Sequence, residues 1–560
     1  MKTDNSKARV NFRKTSARWG RGSLIAAVVL MAAGTSPTAA IASGETITVM
    51  EPRADVPAVE RIPLAARLPS LANRRVAIIK SWPDNSGFDE LLPRLSSELR
   101  EHGASVEIKD RITSYAEDDP VLWQELEDSF DAFIYVAAAS SSTTAYAFRW
   151  SAELERRGVP GVVTAFSELE TVANQTNARS GAQARSAFFD YPIQEMPAPS
   201  VDSAVARILS ALTDPLQSAE QATGMIPAVV RPDILMTGSL NEIQEHFYAN
   251  ELSDGLPVMP PTPALVEAML GGTSHHRDTV VASAFPPEGL TVTVHDVAVN
   301  GVMAGCAPQH MPVLLASVEV MMRGNFGPML RSTNSFSFMQ VVNGPIRNEI
   351  GMNAGTNAVG PGNRANACMG RALRLFITNL GDGHFGTNLQ AVIGSNSNYS
   401  FMFAENEEAS PWTTLAESQG FTRSDNVLTV FSGGWAHSGN YGLGTGIEDV
   451  PPDLASFQIP SGAAVIVSPA RASMVQSAGM SKEALEAYFQ AEACRPLSDL
   501  RKEGRFQRLD PSYDNMPEDT CIRRFPEGSI KVIVAGNDAS PMMQGWSMYR
   551  PISVSIDRWR

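Results

Sequence analysis

Residues 131–160, DAFIYVAAASSSTTAYAFRWSAELERRGVP, constrain the fold more than any other part of this 560-residue chain. An apolar run of strand length comes first, then a loop of small and hydroxyl side chains, then a helical pattern. A run without polar alternation fits a strand covered on both faces, as in a parallel sheet. The flanking sequence extends the pattern. Strands are expected at 75–80 (RVAIIK), 104–109, 132–137 and 159–165, and helices at 88–103, 122–129 and 147–157. Such alternation predicts an α/β domain with a doubly wound, mostly parallel sheet. Ligands of these sheets bind beyond the carboxyl ends of the strands, beside helix N-termini.

A chain this long exceeds one ordinary core, so two domains are expected. Residues 43–190 are read as the first. Residues 191–232 hold Pro192, Pro197, Pro199, Pro215, Pro227 and Pro232 around one helix at 201–212, and are read as a linker. Residues 233–560 are read as a second α/β domain that bears the site. Its strands at 427–431, 464–468 and 531–535 each precede small or polar residues, which suggests a second mostly parallel sheet.

Residues 1–42 differ from the rest. Lys2, Lys7, Arg9, Arg13, Lys14, Arg18 and Arg21 stand against Asp4 alone, the apolar run 24–33 follows, and Ala40-Ile41-Ala42 closes the segment. This order is that of a signal peptide, and the apolar run is short for a membrane span. The expectation is a periplasmic or secreted protein, free of the membrane once the leader is removed. The formal charge of −15 argues against nucleic acid as a partner. A small-molecule substrate is expected, and a homo-oligomer stays open. Of four cysteines, Cys494 and Cys521 flank a proline-rich polar segment that a disulfide would staple.

The 131–160 stretch also resembles the UGSC-type (seleno)protein family. There the strand ends in a selenocysteine or cysteine followed by Gly-Ser-Cys-Thr, and the helix closes with Glu-Leu-Glu and Arg-Gly-Ile/Val-Pro. Glu153-Leu154-Glu155 and Gly158-Val159-Pro160 match that closing. Counting back, Ser140 stands where the selenocysteine or cysteine would be and Thr143 where the second cysteine would be. The resemblance implies the family's α/β frame, and reductive chemistry by analogy with selenocysteine reductases. The replacement of the thiol pair and the export signal both weigh against a reductase.

Five constellations carry possible chemistry. The 140–144 hydroxyl loop, with Ser140 and Thr143, suits a polar or anionic ligand. Cys306 lies between two helical segments near His310, a nucleophile with a base in reach. The Gly/Asn-rich stretch 343–366, with Asn343, Arg364 and Asn366, suits substrate binding, and it matches neither a Walker loop nor a dinucleotide fingerprint. Glu405, Glu407 and Glu408 form an acidic cluster fit for acid–base work. His437 follows the glycine turn Ser432-Gly433-Gly434. His384 and His437 with the acidic cluster could bind a divalent metal, but no HExxH or paired-histidine spacing is present, so no metal is expected. The cofactor is left unknown. The favoured function is a hydrolase or lyase without a redox cofactor, with Cys306 or Glu405 as nucleophile or base and His437 as acid–base. A ligand-binding protein and a thiol-dependent reductase using Cys306 are the alternatives.

Overall fold

The computed structural model describes residues 46–560 apart from 83–87, 89–90, 112, 193–195, 458 and 504–510. The leader expected at 1–42 lies outside the described residues. The first sheet contains β1 (Arg75–Lys80), β2 (Ser105–Asp110), β3 (Ala132–Val136), β4 (Gly161–Phe166) and β5 (Ser186–Phe189). Every pairing is parallel, in the order β2-β1-β3-β4-β5. Helices α1 (Leu91–Glu101), α2 (Pro120–Ser129), α3 (Ser141–Arg156), α4 (Glu170–Ser180) and α5 (Ala198–Thr213) cover it. Leucines of α1 and the Ala204–Ile208–Leu212 stripe of α5 pack on one face. Trp123 of α2, Phe148 and Trp150 of α3 and Ala173 of α4 pack on the other. This is the doubly wound α/β arrangement that the alternation predicts. The α5 helix falls in the expected linker, yet its apolar stripe completes the core of this sheet.

The closing motif of α3 has a physical reason. Leu154 is fully buried, and Gly158 takes φ 87°, the left-handed turn that ends the helix. Glu155 is 2% exposed and accepts from the Ala65 and Gly161 amides and from Arg67. It therefore ties the N-terminal arm to the first residue of β4. Burial pushes the Glu155 carboxyl up, against the pull of Arg67.

The arm reaches into the other half of the chain. Its strand Ile47–Met50 pairs antiparallel with Ile234–Gly238, and Val49 and Met50 join the core of a helical layer. That layer contains α6 (Val294–Met303) and α7 (Met311–Arg323). Next come β6 (Ser337–Asn343), α8 (Arg364–Leu375), β7 (Met402–Ala404) and β8 (Val427–Tyr441). The chain continues through β9 (Ala463–Val467), α9 (Lys482–Glu492), β10 (Ile530–Val534), β11 (Met543–Met548) and β12 (Ile552–Ser555).

The second sheet corrects the expectation of a mostly parallel one. It is mixed, in the order β7-β6-β8-β11-β9-β10 with β12 also on β8. Only β6/β7 and β9/β10 pair in parallel among the described residues. The remaining pairings, β6/β8, β8/β11, β8/β12 and β9/β11, are antiparallel. The turn expected at Ser432-Gly433-Gly434 is not an end of the strand. Gly433 and Gly434 have φ 146° and 76°, and β8 continues through them with an irregular register against β11. A Cβ at Gly433 would overlap the Ser547 carbonyl oxygen, so glycine lets β11 approach closely.

Alternate residues of six strands, including Val341, Phe403, Phe431, Ile466, Ile533 and Met548, meet in one apolar cluster. The sheet therefore curls around that cluster, and the Asn406 amide donates to the Val534 carbonyl at 2.8 Å, linking its two edges. On the outer face, Phe338, Met402 and Val430 pack against α6, α7 and α8, while Val465 and Val532 pack against α9.

Two substitutions test this packing by urea denaturation. Glu155→Gln strands the buried Arg67 guanidinium and should destabilise by about 3–5 kcal/mol. Gly161→Ala would drive a methyl into the Phe133 ring and should cost about 1–3 kcal/mol. An unchanged midpoint for either variant would contradict the role given to that residue.

Candidate functional site

The site is built from the ends of three helices. Thr293 and Asp296 form a capping box at the start of α6. The helix stops where Gly305 takes φ 85°, and the Cys306 amide donates back to Gly301 at 3.0 Å. A short turn, Pro308–His310, then leads into α7. The third helix, α8, is capped by Asn363, whose side chain accepts from the Asn366 amide at 2.9 Å. Its second turn carries Cys368.

These elements bring Cys306 Sγ to 2.7 Å from Cys368 Sγ, across a sequence separation of 62. His310 Nδ1 lies 3.4 Å from Cys368 Sγ and accepts from the Ala307 amide at 3.1 Å. The Ala307 amide thus orients the ring so that Nδ1 faces the Cys368 sulfur. Cys306, His310 and Cys368 are all buried, under a surface turn whose Pro308 and Gln309 are exposed. The S–H of Cys306, donated to Cys368, holds the Cys368 thiol below the usual thiol range, and His310 adds to this. Burial pushes the Cys306 thiol up. The pair is therefore asymmetric: one thiolate-forming sulfur and one sulfur that keeps its proton.

Arg364, the first residue of α8, donates through Nε to the Gly305 carbonyl at 3.0 Å and through Nη2 to the Cys306 carbonyl at 3.3 Å. Rather than waiting for a substrate anion, it staples the Cys306 backbone to the helix that carries Cys368. Arg371 grips Asp254 with two hydrogen bonds of 2.7 and 2.8 Å, holding the Asp254–Pro257 loop on the same helix. Asn366 is likewise engaged. Its side chain bonds the backbone of Asn353 and Ala358 and so closes the glycine loop onto α8.

The other expected residues lie elsewhere. Asn343, at the end of β6, donates to Glu405 at 2.6 Å and to Glu407 at 2.9 Å. Glu405 is fully buried, accepts from the Leu415 amide at 2.7 Å and faces Lys482 at 3.9 Å. Arg347 pairs with Glu407 and Glu408 at 3.1 and 2.9 Å, and holds the Glu408 carboxyl down to about 2. This network carries its own cations, is buried at Asn343, Glu405 and Glu407, and opens to solvent at Glu408. His437 is exposed, lies against Trp546 with the rings tilted by 41°, and bonds the Ser438 carbonyl. These contacts place it outside the Asn343–Glu405–Glu407 network, ten residues along β8 from Val427, the partner of Asn343. Glu405 and His437 therefore do not share a site. His384 pairs with Glu251 and Asp382, so a His384–Glu405–His437 ligand set is not assembled.

The hydroxyl segment lies beyond the carboxyl end of β3, as expected, but Ser141–Thr144 form the first turn of α3, capped at Ser140, rather than a loop before a helix at 147–157, and their side chains mostly bond within that turn. Thr143 bonds the Ala138 and Ser140 carbonyls, Thr144 bonds Ser140, and Ser140 bonds Ser142. Tyr115 donates to Ser142 at 3.1 Å, its phenol pushed up to about 12 by burial. Ser141 bonds the Arg331 carbonyl, which joins this loop to the second half of the chain.

Sequence reasoning missed Cys368. The bridge expected between Cys494 and Cys521 is present, with Cα atoms 5.4 Å apart. Assigning that bridge leaves Cys306 and Cys368 as the remaining two, the one signal in the sequence that would have paired them.

Against known proteins, residues 48–218 match the model of the UGSC family. Neither the curated proteins nor the solved structures contain a match to the chain. The matched segment spans the arm, the first sheet and its five helices, and ends before the cysteine pair. Over residues 48–218, the chain carries a UGSC-family segment.

Proposed function

We propose that the protein is a thiol-dependent oxidoreductase acting on a small disulfide or comparable two-electron acceptor, with Cys306 and Cys368 as the reacting pair. The observation that carries this reading is the 2.7 Å approach of two sulfurs brought together from distant helices, with an imidazole beside one of them. The redox-free hydrolase or lyase reading rested on the lack of a thiol pair in the sequence, and the approach of the two sulfurs removes that ground. The separation of Glu405 from His437 weakens it further.

In the proposed cycle, His310 takes the Cys368 proton and the thiolate attacks one sulfur of the substrate disulfide, releasing the first thiolate product. That product takes the proton held by His310; Cys306 then attacks Cys368 Sγ while its own proton passes to the departing sulfur, which leaves as the second thiol. Two electrons pass to the substrate and a Cys306–Cys368 disulfide remains, to be reduced by an external thiol donor. Export belongs to the same proposal. The leader pattern supports it, and so does the Cys494–Cys521 bridge, since such bridges persist in oxidising compartments.

Reduced protein mixed with hydroxyethyl disulfide, then alkylated and mapped by mass spectrometry, tests the cycle. The wild type should gain one internal disulfide per chain. Cys306→Ser should stop as a mixed disulfide on Cys368, and Cys368→Ser should lose the reaction. His310→Ala should slow it about a hundredfold. Wild-type reaction in Cys368→Ser would contradict the assignment.

A further inference from the structure

The same three side chains have a second capability, independent of whether the pair turns over a disulfide. We propose that Cys306, His310 and Cys368, when reduced, bind one thiophilic divalent ion of the zinc type, leaving a fourth position for water or substrate. Their ligand atoms all lie within 4.8 Å of one another, and all three residues are buried. Two thiolates and an imidazole form a soft to borderline donor set, which selects zinc-like ions over magnesium or calcium.

The geometry needs one adjustment. With metal–sulfur bonds of about 2.3 Å and metal–nitrogen bonds of about 2.0 Å, a tetrahedral site sets sulfur and nitrogen about 3.5 Å apart. Cys368 Sγ and His310 Nδ1 already stand at 3.4 Å. The two sulfurs, at 2.7 Å, must part by about 1 Å to reach the tetrahedral edge. Rotation of Cys306 about its own side-chain bond moves its sulfur without disturbing the backbone that Arg364 holds. The ion also replaces the Ala307 amide as the partner of Nδ1.

Charge favours the same result. Two thiolates and a divalent ion form a neutral complex, which suits three buried side chains better than two bare thiolates would. The Glu405 network is no rival, because Lys482 and Arg347 already occupy it. Three protein ligands with one open position are the arrangement of reactive rather than structural zinc sites. Disulfide formation removes both thiolates, so ion binding and the oxidised state exclude each other.

Cobalt(II) is the probe. The full chain, reduced and freed of metal by a chelator that is then removed, is titrated with Co²⁺ while its absorption is followed. One equivalent per chain should give thiolate-to-cobalt charge-transfer and tetrahedral d–d bands, displaced by Zn²⁺. Cys306→Ser, Cys368→Ser and His310→Ala should each weaken binding by more than about a hundredfold, beyond the loss from an outer-shell change. Circular dichroism verifies that each variant folds. Protein oxidised at the pair should bind none. Absent bands in the reduced wild type, or bands that persist in folded Cys368→Ser, overturn the proposal. Reduced protein that fails to bind Co²⁺ yet still closes its disulfide on hydroxyethyl disulfide would sink this inference and leave the oxidoreductase reading standing. Co²⁺ binding without disulfide closure would do the reverse.

Discussion

The anchoring of α8 by its arginines is the constraint on which the candidate site depends. Arg364 holds the Gly305 and Cys306 carbonyls, Arg371 grips Asp254, and Arg374 bonds Thr378 and the Gly383 carbonyl. Burial pulls the Arg374 guanidinium down to about 10, a sign of how far it is withdrawn from water. Asp254 is 2% exposed in its side chain, so its pairing with Arg371 is fixed in geometry. These contacts fix α8 from three directions, and Cys368 has one place to be. Reactive groups held in this way need little reorganisation when they react.

The second half of the chain wraps around a sheet that curls on its own apolar face. The curl leaves two outer faces, one for the Met-rich helical layer and one for α9. The cysteine pair lies in the first layer, and the Asn343–Glu405–Glu407 network lies at the ends of β6 and β7. The UGSC-matched segment joins this half through the arm strand, the Ser141–Arg331 hydrogen bond and the Arg179–Asp382 ion pair. Its own strand-end segment is internally bonded, whereas Cys306, His310 and Cys368 face one another within the second half.

The first sheet was legible because its strands are apolar runs and its connections are helices, a pattern local in sequence. Glu155 and Gly158 were legible as a motif, although only the structure explains the carboxylate as a tie between the arm and β4. The second sheet was misread for an equally physical reason. A glycine pair such as Gly433-Gly434 breaks a strand or lets it bend, and the choice depends on the neighbour, here β11. The site was half legible. Cys306 and His310 are four residues apart and were visible as a pair. Cys368 joins them only through the tertiary packing of α8, which no local pattern encodes. Arg364 and Asn366 were recognised as important, but they hold backbone carbonyls and amides that a sequence cannot display.

The most direct test of the account is a redox titration of the two thiols, read by differential isotope alkylation of Cys306 and Cys368 in the intact protein. A coupled dithiol predicts that both sulfurs change state together in one reversible two-electron step. Its midpoint should lie above about −300 mV, the upper bound typical of structural disulfides. Cysteines that oxidise independently, or that remain unmodified across the whole range while Cys494–Cys521 opens, would contradict it.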